Sequence, residues 1–424
     1  IVDPTADHTQ YLINQGGYIP VLAAATTTAI SSTPAELNIL DGVTSTAAEL
    51  NILDGVTATA AEINVLDASL KENNSIWIGS DPSGTTDTAS NSVAIGVTAL
   101  DSITTGDNNT AVGYASLTAN TTGTRNTAVG TSAGAAVTTG DDNTAVGYGA
   151  GDTISTGSDN TTIGSYSLTN NSTGASNTAV GYTALEANTT ASNNVAVGYA
   201  ALAANTTGAG SVAIGTSALA TNTTTSNNTA IGTSALTANT TGALNIAVGG
   251  YSLDANTTGG QNTGVGQNAL SANTTASYNV AVGADALLVN TTGASNVAIG
   301  YAALDANTTA SSNTAVGAQA LGANTTGTQN VAVGALAGDA QTTGSHSVAV
   351  GYNALTANTT ANYNVAIGRN SLAANTTTAY NTAVGGESLA ANTAASNTAV
   401  GYAALTANTT GASNVAVGTY ALDA

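Results

Sequence analysis

Residues 194–210 read Asn-Val-Ala-Val-Gly-Tyr-Ala-Ala-Leu-Ala-Ala-Asn-Thr-Thr-Gly-Ala-Gly, and variants of this 17-residue unit fill about four fifths of the chain. A glycine preceded by Val or Ile, here called the repeat glycine, recurs with a constant 17-residue period from Gly79 to Gly385 and then at Gly401 and Gly418. A fixed period this short is typical of a solenoid, whose units pack only on their neighbours. The 21 units therefore predict an all-β fold, a parallel β-solenoid with 17-residue coils.

The segment that ends at each repeat glycine has the alternation of a short strand. Val195 and Val197 lie on one face of this strand, and Ala196 lies on the other. The residue before the repeat glycine is Val or Ile in all 21 units, so this row is predicted to form the core. Most units place a Leu four residues after the glycine, which we expect to close the same core. The glycine permits a corner, and the Ala-Asn-Thr-Thr-Gly turn closes the coil.

The opposite face of the strand carries an almost continuous row of alanines, two residues before the repeat glycines, as at Ala94, Ala196 and Ala298. Two interpretations are open. Alanine either tolerates tight folding within one coil, or it allows close approach of another copy of the chain. Because one coil offers little apolar burial against the entropy of ordering the whole unit, we expect the second, a homotrimer packed through this row.

The unit Asn91-Ser92-Val93-Ala94-Ile95-Gly96 resembles the head repeat of trimeric autotransporter adhesins, and residues 211–215 carry it without the Asn. The resemblance extends over residues 74–424 and implies a left-handed parallel β-roll of three intertwined chains. The repeat is longer here than in most adhesin heads, with the extra residues in the Asn-Thr-Thr turn. We therefore assign residues 71–424 to a β-roll shaft.

The N-terminal fifth of the chain has a different organisation. Residues 1–31 are predicted to form an N-terminal strand or attachment segment, and residues 32–70 hold three copies of a 13-residue unit. Each copy opens with Thr-x-x-Glu, the capping box of a helix N-terminus. The three boxes are Thr33 with Glu36, Thr46 with Glu49, and Thr59 with Glu62. Such short helices need packing partners, so this region is predicted to be a helical neck on neighbouring or sister chains, or a folded linker.

Two segments of this region carry a second resemblance. Val2-Asp3-Pro4-Thr5-Ala6-Asp7 and the repeated Thr-Ala-Ala-Glu-Leu-Asn-Ile-Leu-Asp-Gly at residues 46–55 resemble segments of bacteriophage tail-fibre and other structural proteins. The two resemblances together imply a rigid phage fibre shaft, extracellular or on the virion surface, joined to other fibre or virion proteins at its N-terminus. A bacterial surface adhesin of the trimeric autotransporter type is the alternative.

The composition restricts the possible partners. Three Lys and Arg residues against 24 Asp and Glu give a net charge of −21, which disfavours nucleic acid and anionic membranes and leaves a neutral glycan or protein receptor open. No apolar run approaches the ~20 residues needed to span a bilayer, so membrane insertion is not predicted. Because the chain begins at Ile1 and stops within a repeat at Ala424, we expect a receptor-binding tip or trimerising domain to lie outside it.

The sequence predicts no enzyme and no catalytic, cofactor or metal site. The two histidines, His8 and His346, are far apart in the sequence, and the chain has no Cys. The acidic residues are scattered, and five of them lie in turns of the early coils, where weak calcium binding is an alternative and solvated turn carboxylates are the preferred interpretation. These acids are Asp107, Asp141, Asp142, Asp152 and Asp159.

The Asn-Thr-Thr turns allow two further interpretations. They match the acceptor pattern for N-glycosylation at 13 asparagines from Asn120 to Asn408, which we interpret as a coincidence with turn chemistry. Stacked Thr pairs also suggest an ice-binding solenoid as a second alternative function. Adjacent Thr residues on a strand face opposite ways, however, and the flanking Asn and Gly indicate a curved turn rather than a flat face.

Three units break the pattern in one way, and the first unit differs at its alanine position. The core Leu is replaced by Gly134, Gly151 and Gly338, where we expect either a bend or a turn side chain that fills the core. Trp77 occupies the alanine position of the first unit, where its ring is predicted to fill the open end of the core.

Overall fold

The computed structural model describes residues 74–79 and 88–423, and all regular secondary structure in this part is strand. The predicted helices of residues 32–70 and the boundaries at 31/32 and 70/71 lie outside the described residues.

Each repeat unit contributes one short strand. The strands are β1 (Ile76–Gly79), β2 (Val93–Gly96), β3 (Thr110–Val112), β4 (Thr127–Val129), β5 (Thr144–Val146), β6 (Thr161–Ile163), β7 (Thr178–Val180), β8 (Val195–Val197), β9 (Val212–Ile214), β10 (Thr229–Ile231), β11 (Ile246–Val248), β12 (Thr263–Val265), β13 (Val280–Val282), β14 (Val297–Ile299), β15 (Thr314–Val316), β16 (Val331–Val333), β17 (Val348–Val350), β18 (Val365–Ile367), β19 (Thr382–Val384), β20 (Thr398–Val400) and β21 (Val415–Val417).

Every strand pairs in parallel with the next strand along the chain, so the repeat glycines and the alanines stack on their equivalents. Ala196, for example, lies opposite Ala213 in the following coil. The backbone bonds run in both directions from one coil: the Val195 N–H donates to the Ser211 carbonyl at 2.9 Å, and the Gly198 N–H donates to the Val180 carbonyl at 2.8 Å. The prediction of a parallel β-solenoid with 17-residue coils is confirmed, and it has about 20 turns.

One short unit leaves this pairing intact. The coil between Gly385 and Gly401 is one residue shorter than its neighbours, yet Thr382 still pairs with Thr398 and Val384 with Val400. The missing residue belongs to the turn, where Asn392 is followed by Thr393-Ala394-Ala395 instead of Thr-Thr-Gly and one further residue. The turn therefore absorbs the deletion, and the strands keep their register.

The core contains the alanines and not the Val and Ile row. The side chain of Ala196 is fully buried, whereas Val129, directly before a repeat glycine, keeps 38% of its surface exposed. The prediction of a Val/Ile core is therefore wrong, and the alanine row is inside each coil, where it cannot be the interface of a trimer. The reason is space. In a typical coil, buried Leu, Ala and Asn side chains fill the interior and leave little more than the room of a methyl group opposite them. The interpretation of alanine as an adaptation to tight folding within one coil is the one that the structure supports.

The Leu four residues after the repeat glycine is buried as predicted, but its backbone is unusual. Leu202 has a φ of 53°, and Ala200, two residues earlier, has a φ of 51°. This left-handed conformation is uncommon for residues with a side chain and costs roughly 1–2 kcal/mol per residue. The conformation turns the Leu side chain inward, where its burial offsets the strain.

Where Gly replaces this Leu, the turn side chain fills the core. Gly134 keeps the same left-handed conformation, with a φ of 58°, and the neighbouring Val137 is buried in place of the usual Asn. Ile154 takes the same place beside Gly151, and Gln341 does so beside Gly338. Strand pairing continues through these coils without interruption. Of the two expectations for these units, the filled core is confirmed.

We expect Gly134→Leu to destabilise the coil by about 1–3 kcal/mol, because it overpacks the core. A Cβ atom at residue 134 would lie 3.4 Å from the Val137 Cγ2 atom and 3.1 Å from the Leu117 Cδ2 atom. The double variant Gly134→Leu, Val137→Asn recreates the usual Leu and Asn pair and should recover most of the loss in urea unfolding. The reverse swap, Leu202→Gly with Asn205→Val, is the matched control. Additive single effects in both cycles would contradict this coupling.

Trp77 is buried at the first described coil, with 5% of its surface exposed, and it pairs with Ala94 in the alanine row. The burial expected of its ring is confirmed, and its role of filling the open end of the core stays a prediction. Its indole N–H has no hydrogen-bond partner among the described residues.

Candidate functional surfaces

Two rows of buried asparagines run through the solenoid as hydrogen-bond ladders. In the first row, four residues before the repeat glycines, the Asn126 N–H donates to Asn109 Oδ1 at 2.9 Å, and Asn126 Nδ2 donates to the Gly140 carbonyl at 2.8 Å. In the second row, Asn205 Nδ2 donates to Asn188 Oδ1 at 3.1 Å and to the Gly208 carbonyl at 2.9 Å. These amides thereby satisfy buried polar groups of their own coil and of an adjacent coil, and Asn324 Oδ1, which faces the coil of Gln341, is the one buried ladder oxygen without a hydrogen-bond partner among the described residues.

The second row consists of the asparagines of the Asn-Thr-Thr turns. Of the 13 asparagines in the Asn-Thr-Thr turns, twelve are fully buried, and only Asn408, in the last turn, is partly exposed. An attached glycan cannot be placed on a side chain that is enclosed in the coil and holds its neighbour. The interpretation of these tripeptides as turn chemistry is therefore supported. The sequence signal for the ladder was the return of Asn at the same point of nearly every unit.

The two threonines of each turn differ in their surroundings. The Thr206 hydroxyl donates to the Thr223 carbonyl of the next coil at 3.0 Å, whereas Thr207 is exposed. Each turn thus presents one outward Thr, and the other hydroxyl is used inside the solenoid. This single row lies on a turn and offers fewer free hydroxyl groups than the paired Thr array assumed for an ice-binding surface.

The outer sheet face consists of the residues three and one before each repeat glycine. Both point outward, because the alanine between them points inward, as in Val195-Ala196-Val197. All of these residues are Val, Ile or Thr across the 21 strands, and not one carries a charge. The face therefore forms a continuous, mostly apolar strip along the solenoid.

Exposed tyrosines follow the corner beside this face. Tyr182 and Tyr199 stack with ring centroids 5.7 Å apart and an interplanar angle of 10°, and Tyr148 meets Tyr166 edge to face at 5.2 Å. The stacked rings cover one another's faces and leave their edges to solvent. Seven tyrosines directly follow a repeat glycine: Tyr114, Tyr148, Tyr182, Tyr199, Tyr301, Tyr352 and Tyr402.

The turn acids act within the solenoid. Asp107 Oδ1 accepts from the Ser90 N–H at 2.7 Å, and Asp141 Oδ1 accepts from the Thr124 N–H at 2.7 Å. Exposed Arg125 forms a two-pronged ion pair with Asp142, which holds the pKa of that carboxyl below its ordinary range.

Two further carboxyls are partly buried, and burial raises the pKa of Asp152 and of Asp305. Asp159 lies in an early turn, as the sequence placed it, and its backbone N–H donates to the Asp141 carbonyl at 3.0 Å. Within residues 74–79 and 88–423, no three His, Cys, Asp or Glu side chains come together as metal ligands.

His346 lies in a turn and stacks on Tyr363, with ring centroids 4.8 Å apart. His8 lies outside the described residues. The structure thus gives His346 an aromatic neighbour in the adjacent coil. The described part of the chain also contains no helix that is long and apolar enough for a membrane span.

Comparisons of the chain with protein-family models, with curated proteins and with solved structures give no significant match.

Proposed function

We propose that this chain is a structural fibre protein, the rigid shaft of a phage tail fibre or a similar extracellular appendage that contributes to host-surface attachment. The observation that carries the proposal is the unbroken parallel ladder of 21 strands. At about 4.8 Å per coil it corresponds to a shaft on the order of 100 Å long. Such a shaft holds an attachment end and a receptor-binding end apart.

Several features support stiffness. Backbone bonds link successive coils at the strand, the corner and the turn, as at Val195, Leu202 and Thr206. The two asparagine ladders add side-chain bonds between coils. Since every coil is bonded to both neighbours on several sides, bending the shaft requires many bonds to lengthen together.

The proposal extends to a homotrimer with the left-handed winding of the adhesin heads that the repeats resemble. Other fibre or virion proteins would join the N-terminus, and a neutral glycan or a protein would serve as the receptor. A bacterial surface adhesin is the alternative assignment of the same shaft. An ice-binding solenoid is the second alternative, and the exposed Thr row is the observation in its favour.

Electron microscopy of the purified chain tests the shaft. We expect straight rods whose repeat region measures about 100 Å. Deletion of residues 195–262 removes four 17-residue units in phase and should shorten the rods by about 19 Å. Deletion of residues 195–254, which is out of phase, is the control and should disrupt the rod at the junction.

Flexible or compact particles from the intact chain would contradict the shaft. The ice-binding alternative would be favoured if labelled rods bound no bacterial host cell and the protein in solution shaped ice crystals or caused thermal hysteresis.

A further inference from the structure

We propose that the outer sheet face is the lateral interface between parallel copies of this chain, aligned coil to coil. This inference rests on the proposed fibre function. The alanine row is buried and cannot be the interface between copies, so we assign that interface to the opposite side of the same strands.

The first argument is the apolar exposure of the face. Within a parallel sheet, the equivalent residues of the two adjacent coils already cover the sides of each Val or Ile. Val129, Ile163 and Ile299 nevertheless keep 38%, 41% and 40% of their surfaces exposed, so this remainder points outward from the sheet. The row continues through all 21 strands. Apolar strips of this length are not typical of a monomer surface and mark interaction sites.

The second argument is the distribution of charge. The chain carries a net charge of −21, yet none of its charged side chains lies on the outer sheet face. The acids of the described coils lie two or five residues after the repeat glycine, or five or six residues before it: Asp101, Asp107, Asp141, Asp142, Asp152, Asp159, Glu186, Asp254, Asp285, Asp305, Asp339, Glu387 and Asp423. Two copies can therefore meet at this face without burying an unpaired carboxylate or bringing like charges into contact.

The third argument concerns the occupant. The face repeats once per coil, about every 4.8 Å, for 21 coils. A partner stays in contact over the full length only if it has the same rise per unit, and a second copy that runs in the same direction meets this condition. Its own face is apolar and uncharged in the same way. Copies related by rotation about an axis parallel to the rod bring these faces together.

The fourth argument is area. A strip on the order of 100 Å long and about 10 Å wide offers roughly 1,000 Å² on each copy, from the strand spacing and the length of three residues. Stable protein interfaces bury about 800 Å² on each partner, and permanent ones bury more. The outer sheet face is thus large enough for a permanent assembly.

The test compares two variants that carry the same added charge at the same four levels of the rod. The interface variant is Val129→Glu, Val197→Glu, Val265→Glu and Val333→Glu. The control variant is Thr139→Glu, Thr207→Glu, Thr275→Glu and Thr343→Glu, all at exposed turn positions of the same coils. Sedimentation equilibrium gives the mass, and circular dichroism checks that both variants keep their strands.

We expect the parent chain and the control variant to sediment at three times 40.7 kDa, and the interface variant at 40.7 kDa, a threefold loss of mass. If the interface variant keeps the mass of the parent chain, the outer sheet face is not the interface, although the chain is still a homotrimer. A parent chain that is monomeric would overturn both, while the rod length in microscopy still decides the shaft.

Site-specific cross-linking covers the case in which the charged variant fails to fold. The chain has no Cys, so Val197→Cys and Thr207→Cys each introduce a single thiol. A short bifunctional maleimide should join Val197→Cys chains into covalent pairs and leave Thr207→Cys chains single. The opposite pattern would overturn the interface.

Discussion

Replacing Ala196 by Glu is expected to unfold the coils around β8, and not only to separate one copy of the chain from another. Ala196 is fully buried between Ala179 and Ala213 of the adjacent coils. A carboxylate there has no partner and no access to water, and an uncompensated buried charge costs about 3–5 kcal/mol. Circular dichroism should show lost strand signal, and limited proteolysis should cut near residue 196.

The neighbouring substitution Val197→Glu is the control, because Val197 belongs to the outer sheet face. It should keep the strand signal and the resistance to proteolysis. If Ala196→Glu kept the native spectrum and changed only the mass of the assembly, the alanine row would be an interface after all, and the arrangement of the core described above would be wrong.

The second large effect is expected at the corner. Gly198 has a φ of 135°, and a Cβ atom there would lie 2.6 Å from the Gly215 carbonyl oxygen and 2.7 Å from its carbonyl carbon. Gly198→Ala therefore combines backbone strain of about 1–3 kcal/mol with a clash against a backbone that cannot move without breaking the ladder. We expect a large fall in the midpoint of thermal unfolding.

Gly250→Ala is the matched control for this substitution. Gly250 directly follows a repeat glycine, and the nearest atom to a Cβ at this position is the Thr233 carbonyl oxygen at 4.0 Å. This change should be neutral or stabilising by about 0.4–1 kcal/mol through the unfolded chain. If Gly198→Ala and Gly250→Ala changed the midpoint of thermal unfolding equally, stacking of the corners would not require glycine.

The period and the corner could be predicted from the sequence because both are properties of the backbone. A glycine that returns with a 17-residue period requires a coil of that length, and the φ of Gly198 shows why only glycine fits. The buried Leu row was also predictable, since no other large apolar side chain recurs as regularly in that part of the unit.

The two faces of the strand were assigned the wrong way round for a physical reason. With three residues per strand, alternation separates Ala from its two neighbours and does not say which side is inside. The larger side chains were assigned to the core, but so short a coil encloses too little space for them beside Leu and Asn. The residue three before the repeat glycine carried the missing signal, because it is Thr in ten of the 21 units and lies on the same face as the Val or Ile.

The asparagine ladders could not be predicted from the sequence, for another reason. Asn favours both turns and buried amide ladders, and the pattern Asn-Thr-Thr-Gly fits either one. Only the position of Asn205 inside the coil, within reach of Asn188, separates the two. The assignment to a phage fibre rests on the sequence resemblance and remains a prediction.

The direction of the ladder bonds determines how this solenoid responds to force. Bonds such as that from the Val195 N–H to the Ser211 carbonyl join one coil to the next, so they run along the rod. Tension between the two ends acts on the coil interfaces in series, so each interface carries the full force and the coils open one at a time. A coil that opens gives up about 4.8 Å of rod and releases a 17-residue segment, which extends to roughly 55 Å. We therefore expect the solenoid to lengthen stepwise under a strong pull, one coil at a time, and to absorb mechanical work before all its coils are open.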